Sequence, residues 1–194
     1  IIYGGTYPVG RFFAWDIEKR RLLVEAFIAA WPHQVCVDDD GVCWGLYSKV
    51  MGQDLLRLMS YDPARSRISW SEIMIPGDAA GKGASIDSIV NGGDGFLYVG
   101  TDTGALFRLA PREGRLDLII KPSASRQFGA LSRPVGHRIF GIAGGGATAE
   151  IFAYDLRTGD VTCYGPVYDA TRRTYIERPH ELVVGPDGCL YCPE

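Results

Sequence analysis

The sequence predicts an all-β fold built from a repeated sheet, and three observations support this prediction. Glycine accounts for 25 of 194 residues, about 13% against a usual ~7%, which favours turns over long helices. An apolar or aromatic strand that runs into a polar turn recurs at intervals of 46, 48 and 45 residues, and it ends at Asp16, Asp62, Ala110 and Asp155. A second hairpin signature lies upstream of these strands. Four short strands in about 46 residues make one blade of a β-propeller, so we predict propeller blades.

Each repeat contains two predicted hairpins. The downstream hairpin continues into a β-rich run, and Gly114 and Gly159 supply the positive φ that such turns need. The upstream hairpin places an Asp-Gly turn before an aromatic strand, at Asp40-Gly41, Asp94-Gly95 and Asp187-Gly188, with a degenerate copy at Gly136-His137. The predicted blade-like units are 1–26, 33–77, 86–122, 128–169 and 180–194.

Two further expectations concern elements and extent. In the segment from Glu18 to Ala30 the apolar residues, which begin at Leu22, are nearly continuous, so their periodicity allows a helix, although the repeat favours a strand. About four blades are visible, which indicates part of a larger ring of about six to eight blades. The chain begins at Ile1 with no initiator Met, so we expect an excerpt or a processed chain in a single propeller domain.

Charge and hydropathy exclude several classes of protein. Lys+Arg 20 against Asp+Glu 23 gives a net charge of −3 without a basic run, which argues against nucleic-acid and membrane-surface partners. The most apolar stretch, from Leu22 to Trp31, contains Glu25 and is about half the length of a membrane helix. Five cysteines, an odd number, argue against a disulfide framework. We therefore predict a soluble chain and leave the compartment and the oligomeric state open.

The segment from Pro179 to Glu194 carries a family resemblance. It reads Pro-His before a strand, then a Gly-Pro-Asp-Gly turn, then an aromatic residue followed by x-x-Glu, and it resembles the repeat of virginiamycin B lyase-like propellers. The segment from Pro32 to Trp44 is a looser copy. The hairpin from Asp94 to Thr101 is similar to those of the SMP-30, gluconolactonase and NHL-type propellers. The resemblance implies a propeller fold and, more weakly, a lyase.

The blade pattern predicts which side chains converge. In a propeller, the first strand begins and the second strand ends at the same mouth of the central channel. Thr101, Asp102 and Glu194 follow second strands. Eight residues before each turn glycine stand four residues that we expect at equivalent positions on the channel wall, namely His33, Asp87, Phe128 and His180.

Imidazoles and carboxylates at one mouth suit proton abstraction or a hard divalent ion. The resemblance implies that His180 is the acid/base catalyst. It also implies that Glu194 and His180 hold a divalent cation (Mg²⁺, Mn²⁺ or Ca²⁺) and that His33 contacts the substrate. Asp87 is expected to bind the substrate, and three arginines in a polar segment before His180 would suit a carboxylated or sulfated sugar. These arginines are Arg172, Arg173 and Arg178. The predicted enzyme is a lyase that acts on a carbohydrate or a lactone, and a lyase is favoured over a hydrolase.

Other readings stay open. His33 and His180 are three blades apart and would face each other across the channel, too far to share one metal ion. The same histidines and aspartates can simply satisfy backbone groups and cap turns. The chain would then be a non-catalytic propeller that binds a small molecule, a saccharide or a protein, or a sensor propeller of a larger receptor. Cys189 and Cys192 have metal-like spacing but would point to opposite faces of a strand.

Overall fold

The computed structural model describes residues 1–30, 34–50, 56–78, 83–122, 128–145, 148–167, 171 and 181–192. These residues form five antiparallel sheets and no α-helix. The chain divides into two compact units, Ile1–Ser85 and Ile86–Glu194. The all-β prediction is confirmed.

The first unit contains two sheets. The first sheet has three strands, β1 (Ile2–Thr6), β2 (Arg11–Asp16) and β3 (Arg21–Phe27). The second sheet has four, β4 (Cys36–Val37), β5 (Cys43–Ser48), β6 (Leu56–Asp62) and β7 (Arg67–Met74). The helix considered for 18–30 is wrong, because β3 pairs along β2 and its apolar residues lie on both faces of a strand.

The second unit contains three sheets. The third sheet comprises β8 (Ile86–Asn91), β9 (Leu97–Thr101), β10 (Leu106–Ala110) and β11 (Arg115–Ile120). The fourth comprises β12 (Phe128–Leu131), β13 (Arg138–Ala143), β14 (Glu150–Asp155) and β15 (Val161–Pro166). The fifth is a pair, β16 (Val183–Val184) and β17 (Leu190–Tyr191).

The turns after β2, β6 and β14 are built alike. Oδ1 of the last strand residue accepts backbone N–H groups two or three residues on, from Lys19 to Asp16 (3.0 Å), Ala64 to Asp62 (2.9 Å) and Arg157 to Asp155 (3.0 Å). Ala110 cannot make this bond, and there the Gly114 N–H donates to the Ala110 carbonyl. Gly114 and Gly159 have φ of 62° and 79°, as predicted.

Packing between consecutive sheets of a unit buries their aromatic residues. Each such packing surface is called a seam here. Within a unit, the forward face of a sheet is the face that packs on the following sheet, or the face that matches it in strand register, and the opposite face is the backward face. In the first unit, Tyr3 and Phe12 of the first sheet pack against Tyr61 of the second, with ring centroids 6.3 Å and 6.0 Å apart. In the second unit, Tyr98 of the third sheet packs against Tyr154 of the fourth at 5.5 Å. Burial of these rings contributes hydrophobic stabilisation to each unit.

Candidate functional site

The predicted site lies at the end of a four-stranded sheet where its first strand begins, named the entry end. Asp87 is the second residue of β8, in an irregularity of the β8–β9 ladder between the pairs Ile86–Thr101 and Ser88–Gly100. The fourth sheet has the same irregularity at the start of β12, between the pairs Phe128–Ala143 and Leu131–Gly141. Such bulges are frequent at rims and next to active sites, where they re-aim a side chain. Asp87 is partly exposed, and its Oδ2 is shielded from solvent.

The strand pairing corrects one predicted equivalence. Phe128 corresponds to Ile86, and Gly129 corresponds to Asp87, so the predicted match of Phe128 with Asp87 is wrong by one residue. The physical reason is the turn after β12, which closes through a bridge between Val135 and Arg138. Gly136 therefore does not occupy the position of Gly95. At the entry end of the fourth sheet, a glycine stands where the third sheet has a carboxylate.

Thr101 is the last residue of β9 and Asp102 follows it, at the entry end, as predicted for a second strand. Thr101 is fully buried, and its Oγ1 contacts the Thr103 hydroxyl at 2.8 Å and donates to the Ala105 carbonyl at 3.2 Å. This hydroxyl closes the β9–β10 turn and is not available to a ligand. Asp102 is exposed in the same turn.

Two contacts that the sequence did not reveal join the third and fourth sheets. The buried Ser88 Oγ accepts a hydrogen bond from the Leu131 N–H at 3.0 Å, which ties β8 to β12. The Phe128 ring lies directly over Gly100, where any Cβ would overlap it. Only a serine amid apolar residues hinted at the first contact, and no sequence signal indicated the second.

The other predicted site residues lie outside the described part of the chain. These are His33, Arg172, Arg173, Arg178, His180 and Glu194. Within the described ranges, no group of three or more His, Cys, Asp or Glu side chains could hold a metal ion. Asp87 is thus the one residue with a predicted catalytic, binding or metal-ligating role that lies within the described ranges.

The opposite end of a sheet is named the turn end, and in the second, third and fifth sheets it carries a repeated clasp that the sequence analysis missed. An aspartate in the turn between first and second strands accepts a hydrogen bond from an aromatic side chain of the second strand. The three clasps are Trp44 to Asp38 (2.8 Å), Tyr98 to Asp94 (2.8 Å) and Tyr191 to Asp187 (2.6 Å). The other carboxylate oxygen accepts backbone N–H groups of the same turn. An Asp-x-x-x-Tyr spacing was visible in the two tyrosine cases.

His137 also lies at the turn end. Its Nε2 is 3.1 Å from the Asp155 Oδ2, and its carbonyl accepts the Leu156 N–H. This histidine connects the two turns of the fourth sheet and is remote from the entry end along the strands.

Comparison with known proteins finds likeness in structure alone. No protein-family model matches the chain, and no curated protein matches it by sequence. The extracellular domain of a one-component system from B. thetaiotaomicron is similar at TM-score 0.68 and 12% identity, over 98% of this chain and 24% of that one. Virginiamycin B lyase from Staphylococcus aureus is similar at TM-score 0.61 and 13% identity, over 91% and 54%. The WD40 repeats of RRP9 follow at TM-score 0.58 and 10% identity, over 84% and 47%.

These likenesses confirm the fold. The five sheets are β-propeller blades, and the structural neighbours include the virginiamycin B lyase that the sequence motifs resemble. The chain spans about a quarter of the first neighbour and about half of the second. The neighbours include both enzymes and non-catalytic domains, so the fold alone assigns no activity. Among the described residues, no helix has the length and apolarity to cross a bilayer.

Proposed function

We propose that the entry end binds a small ester or saccharide ligand and that the chain contributes to a lyase acting there. The observation that carries this proposal is the bulge at Asp87, which sets a carboxylate at the start of β8. The Pro179–Glu194 motif and the likeness to virginiamycin B lyase support the same location.

The proposed reaction is a β-elimination. The His180 imidazole takes the proton from the carbon next to a carbonyl, and that electron pair forms a carbon–carbon double bond. The bond from the adjacent carbon to oxygen breaks, and this oxygen leaves with the electron pair as a carboxylate or alkoxide. His33 and Asp87 bind the substrate, and Arg172, Arg173 and Arg178 match a carboxylate or sulfate group on it.

Glu194 and His180 are the residues that would hold a divalent cation. Carboxylate and imidazole donors suit Mn²⁺, and with additional oxygen ligands also Mg²⁺ or Ca²⁺. When bound, such an ion would stabilise the negative charge that develops on the carbonyl oxygen. Hydrolysis of the same ester is the less favoured alternative, because the Pro179–Glu194 motif and the structural likeness both point to a lyase.

The test is turnover of two probes, a streptogramin B antibiotic and an oligosaccharide containing uronic acid. We expect a new double bond conjugated to a carbonyl, detected by ultraviolet absorbance and mass. His180→Ala should lower kcat at least about 10²-fold, the usual contribution of a general base. His137→Ala, a histidine change at the turn end, should leave turnover at the wild-type rate. Equal rates in wild type and His180→Ala would overturn the catalytic role.

Asp87 is tested separately as a binding residue. Asp87→Asn should raise KM several-fold with a smaller change in kcat, because the amide keeps the shape but not the charge of the carboxylate. Asp160→Asn, at an exposed turn of the fourth sheet, is the matched control. An unchanged KM in Asp87→Asn would remove Asp87 from the site.

A non-catalytic binding propeller is the second candidate, and the described entry end favours it in one respect. The first strands of the third and fourth sheets are apolar apart from Asp87, Ser88 and Asn91, and Ser88 is committed to the Leu131 N–H. Binding of a probe by calorimetry, unchanged in His180→Ala and without turnover in wild type, would support this candidate.

A further inference from the structure

An exposed tryptophan stands on the outer strand of the second sheet. Trp70 of β7 is 46% exposed, although it pairs across the strands with the buried Met59 of β6. Met59 belongs to the core that the second sheet shares with the first, so Trp70 lies on the backward face, at the outer margin of that seam. Both sheets of the seam belong to the first unit. A large aromatic ring left open at such a margin is a candidate contact for a ligand.

The Trp70 ring is held in place by Tyr47. The two ring centroids are 5.0 Å apart and the planes meet at 63°, an edge-to-face contact that leaves at least one face of the indole uncovered by Tyr47. Tyr47 is buried, and its hydroxyl donates to the Ser71 carbonyl at 2.7 Å, on the same strand as Trp70. Trp70 is therefore a rigid platform that loses little conformational freedom when a ligand binds.

An ion pair lies beside this platform. Arg57 pairs across the strands with Tyr47, and Glu72 is two residues beyond Trp70 on β7. The Glu72 carboxylate accepts hydrogen bonds from the Lys49 Nζ at 2.8 Å and 2.9 Å and lies 3.2 Å from the Arg57 Nε. The Glu72 and Lys49 side chains are 72% and 50% exposed, so this pair faces solvent. The hydrogen bond from Lys49 lowers the pKa of Glu72, which keeps the carboxylate ionised at neutral pH.

These groups together match a neutral sugar ring. The face of an aromatic ring is electron-rich and attracts the polarised C–H bonds on the apolar face of a pyranose. An ammonium has three donors and a carboxylate about four lone-pair sites, so Lys49 keeps a donor and Glu72 keeps an acceptor beyond their mutual bonds. This donor and this acceptor are about as close together as two neighbouring hydroxyl oxygens of a sugar.

Other classes of ligand fit this surface less well. A cation would be attracted by the Trp70 ring but repelled by Lys49 and Arg57. A phosphate or a nucleotide would meet Glu72, which is the most exposed of the three charged side chains. A wholly apolar ligand would strip water from the Lys49–Glu72 pair without replacing its hydrogen bonds.

We propose that Trp70, Lys49 and Glu72 form a binding site for a neutral pyranose residue of an oligosaccharide or polysaccharide. The apolar face of the sugar stacks on Trp70. Two neighbouring hydroxyl groups bridge the ion pair, one donating to the Glu72 carboxylate and the other accepting from the Lys49 ammonium. The site uses none of the residues of the proposed elimination, so it holds whether or not the chain is an enzyme.

Indole ¹⁵N NMR tests the location of this site. The Trp70 Nε1–H signal is identified as the one that Trp70→Phe removes, and the probes are three neutral hexasaccharides, cellohexaose, xylohexaose and mannohexaose. We expect at least one probe to shift the Trp70 signal in a saturable way. The signal of Trp15, an indole 39% exposed on the first sheet, should stay in place. No shift of Trp70 with any probe, or equal shifts of Trp70 and Trp15, would overturn the proposal.

Calorimetry with the probe that binds then tests each group, after circular dichroism has established that the variants are folded. Trp70→Ala should weaken the affinity about 10-fold, because the stacking surface is lost. Glu72→Gln and Lys49→Met should each weaken it several-fold, because each variant breaks the ion pair. Wild-type affinity in Trp70→Ala, or in both Glu72→Gln and Lys49→Met, would contradict the assignment.

Matched controls come from the fourth and third sheets. Tyr164→Ala removes a ring that is 55% exposed on the outer strand β15, and Glu113→Gln breaks an exposed ion pair with Arg115 at 3.0 Å. Both should keep the wild-type affinity. Tetragalacturonate and AMP, as an acidic sugar and a nucleotide, should bind more weakly than the neutral probe. Tighter binding of either one would show that the site takes an anion and not a neutral sugar.

Discussion

The face of the third sheet that carries Val90 and Tyr98 and the face of the fifth that carries Val183 and Tyr191 have the same local structure and opposite surroundings. Val90 and Tyr98 of the third sheet are 9% and 1% exposed, whereas Val183 and Tyr191 of the fifth are 48% and 53% exposed. Residue types, strand pairing and the aspartate clasp are the same in both. The comparison teaches that the hairpin is determined locally and that its burial is determined by the neighbouring sheet.

The tyrosine rings should separate the two faces most strongly. Tyr98→Ala removes a buried ring and leaves a cavity beside Tyr154, so we expect a loss of about 3–5 kcal/mol in the free energy of unfolding. Tyr191→Ala removes an exposed ring and should cost far less. Urea unfolding at neutral pH, with the wild-type chain measured in parallel, checks both values. Equal losses in the two variants would contradict the comparison.

The tie between β8 and β12 gives the next largest effect. Ser88→Ala leaves the buried Leu131 N–H without its acceptor, and an unsatisfied buried donor costs about 1–3 kcal/mol. Ser69→Ala, on the exposed side of β7, is the control and should change the unfolding free energy little. Amide hydrogen exchange at Leu131 should accelerate in Ser88→Ala. Unchanged protection there would show that the Ser88 bond does not hold the seam.

Alkaline pH should also distinguish the two tyrosines. Burial, together with the Asp94 carboxylate, raises the pKa of Tyr98 well above its ordinary value. The unfolded chain ionises this tyrosine near pH 10 while the folded chain keeps its proton, so stability falls as pH rises past about 10. Tyr98→Phe should flatten this fall in urea midpoints between neutral and alkaline pH, and Tyr191→Phe should flatten it less. An equal change in both variants would argue that Tyr98 is not specially buried.

The smallest expected effect concerns the exposed clasp. The Tyr191 hydroxyl, followed by the Cys189 N–H, lowers the pKa of Asp187. Stability from this carboxylate is present above its unfolded pKa of about 3.9 and is lost as pH falls through the lower folded value. Tyr191→Phe should move the Asp187 pKa upward in a carboxyl NMR titration. A titration identical to wild type would mean that the clasp does not form in solution.

Sequence reasoning predicted the sheets well because their signals are local. Apolar strands, Asp-Gly turns and turn aspartates such as Asp62 repeat at a blade's spacing, and the structure forms hairpins there. The register between blades was less predictable, because the turn at Gly136 closes differently from the turn at Gly95 and shifts Phe128 by one residue. The roles assigned to His33, His180 and Glu194 remain predictions.

The contacts that sequence reasoning missed have a common cause. Ser88 with Leu131 and Gly100 with Phe128 each join residues of different sheets, and no local pattern encodes such a pair. Thr101 was expected at a ligand-binding mouth and instead closes a turn, because its hydroxyl finds Ala105 within the same hairpin. Side-chain direction, unlike strand position, depends on nearby partners.

The packing of Phe128 over Gly100 bears on how such a repeat can grow by duplication. The glycine belongs to one blade and the phenylalanine to the next, so neither blade carries the whole fit. A blade inserted between them would need a small residue opposite Phe128 and a ring opposite Gly100. The segment that can be duplicated without further substitutions at this contact therefore runs from the middle of one blade to the middle of the next. A recombination boundary placed there keeps each ring with its glycine.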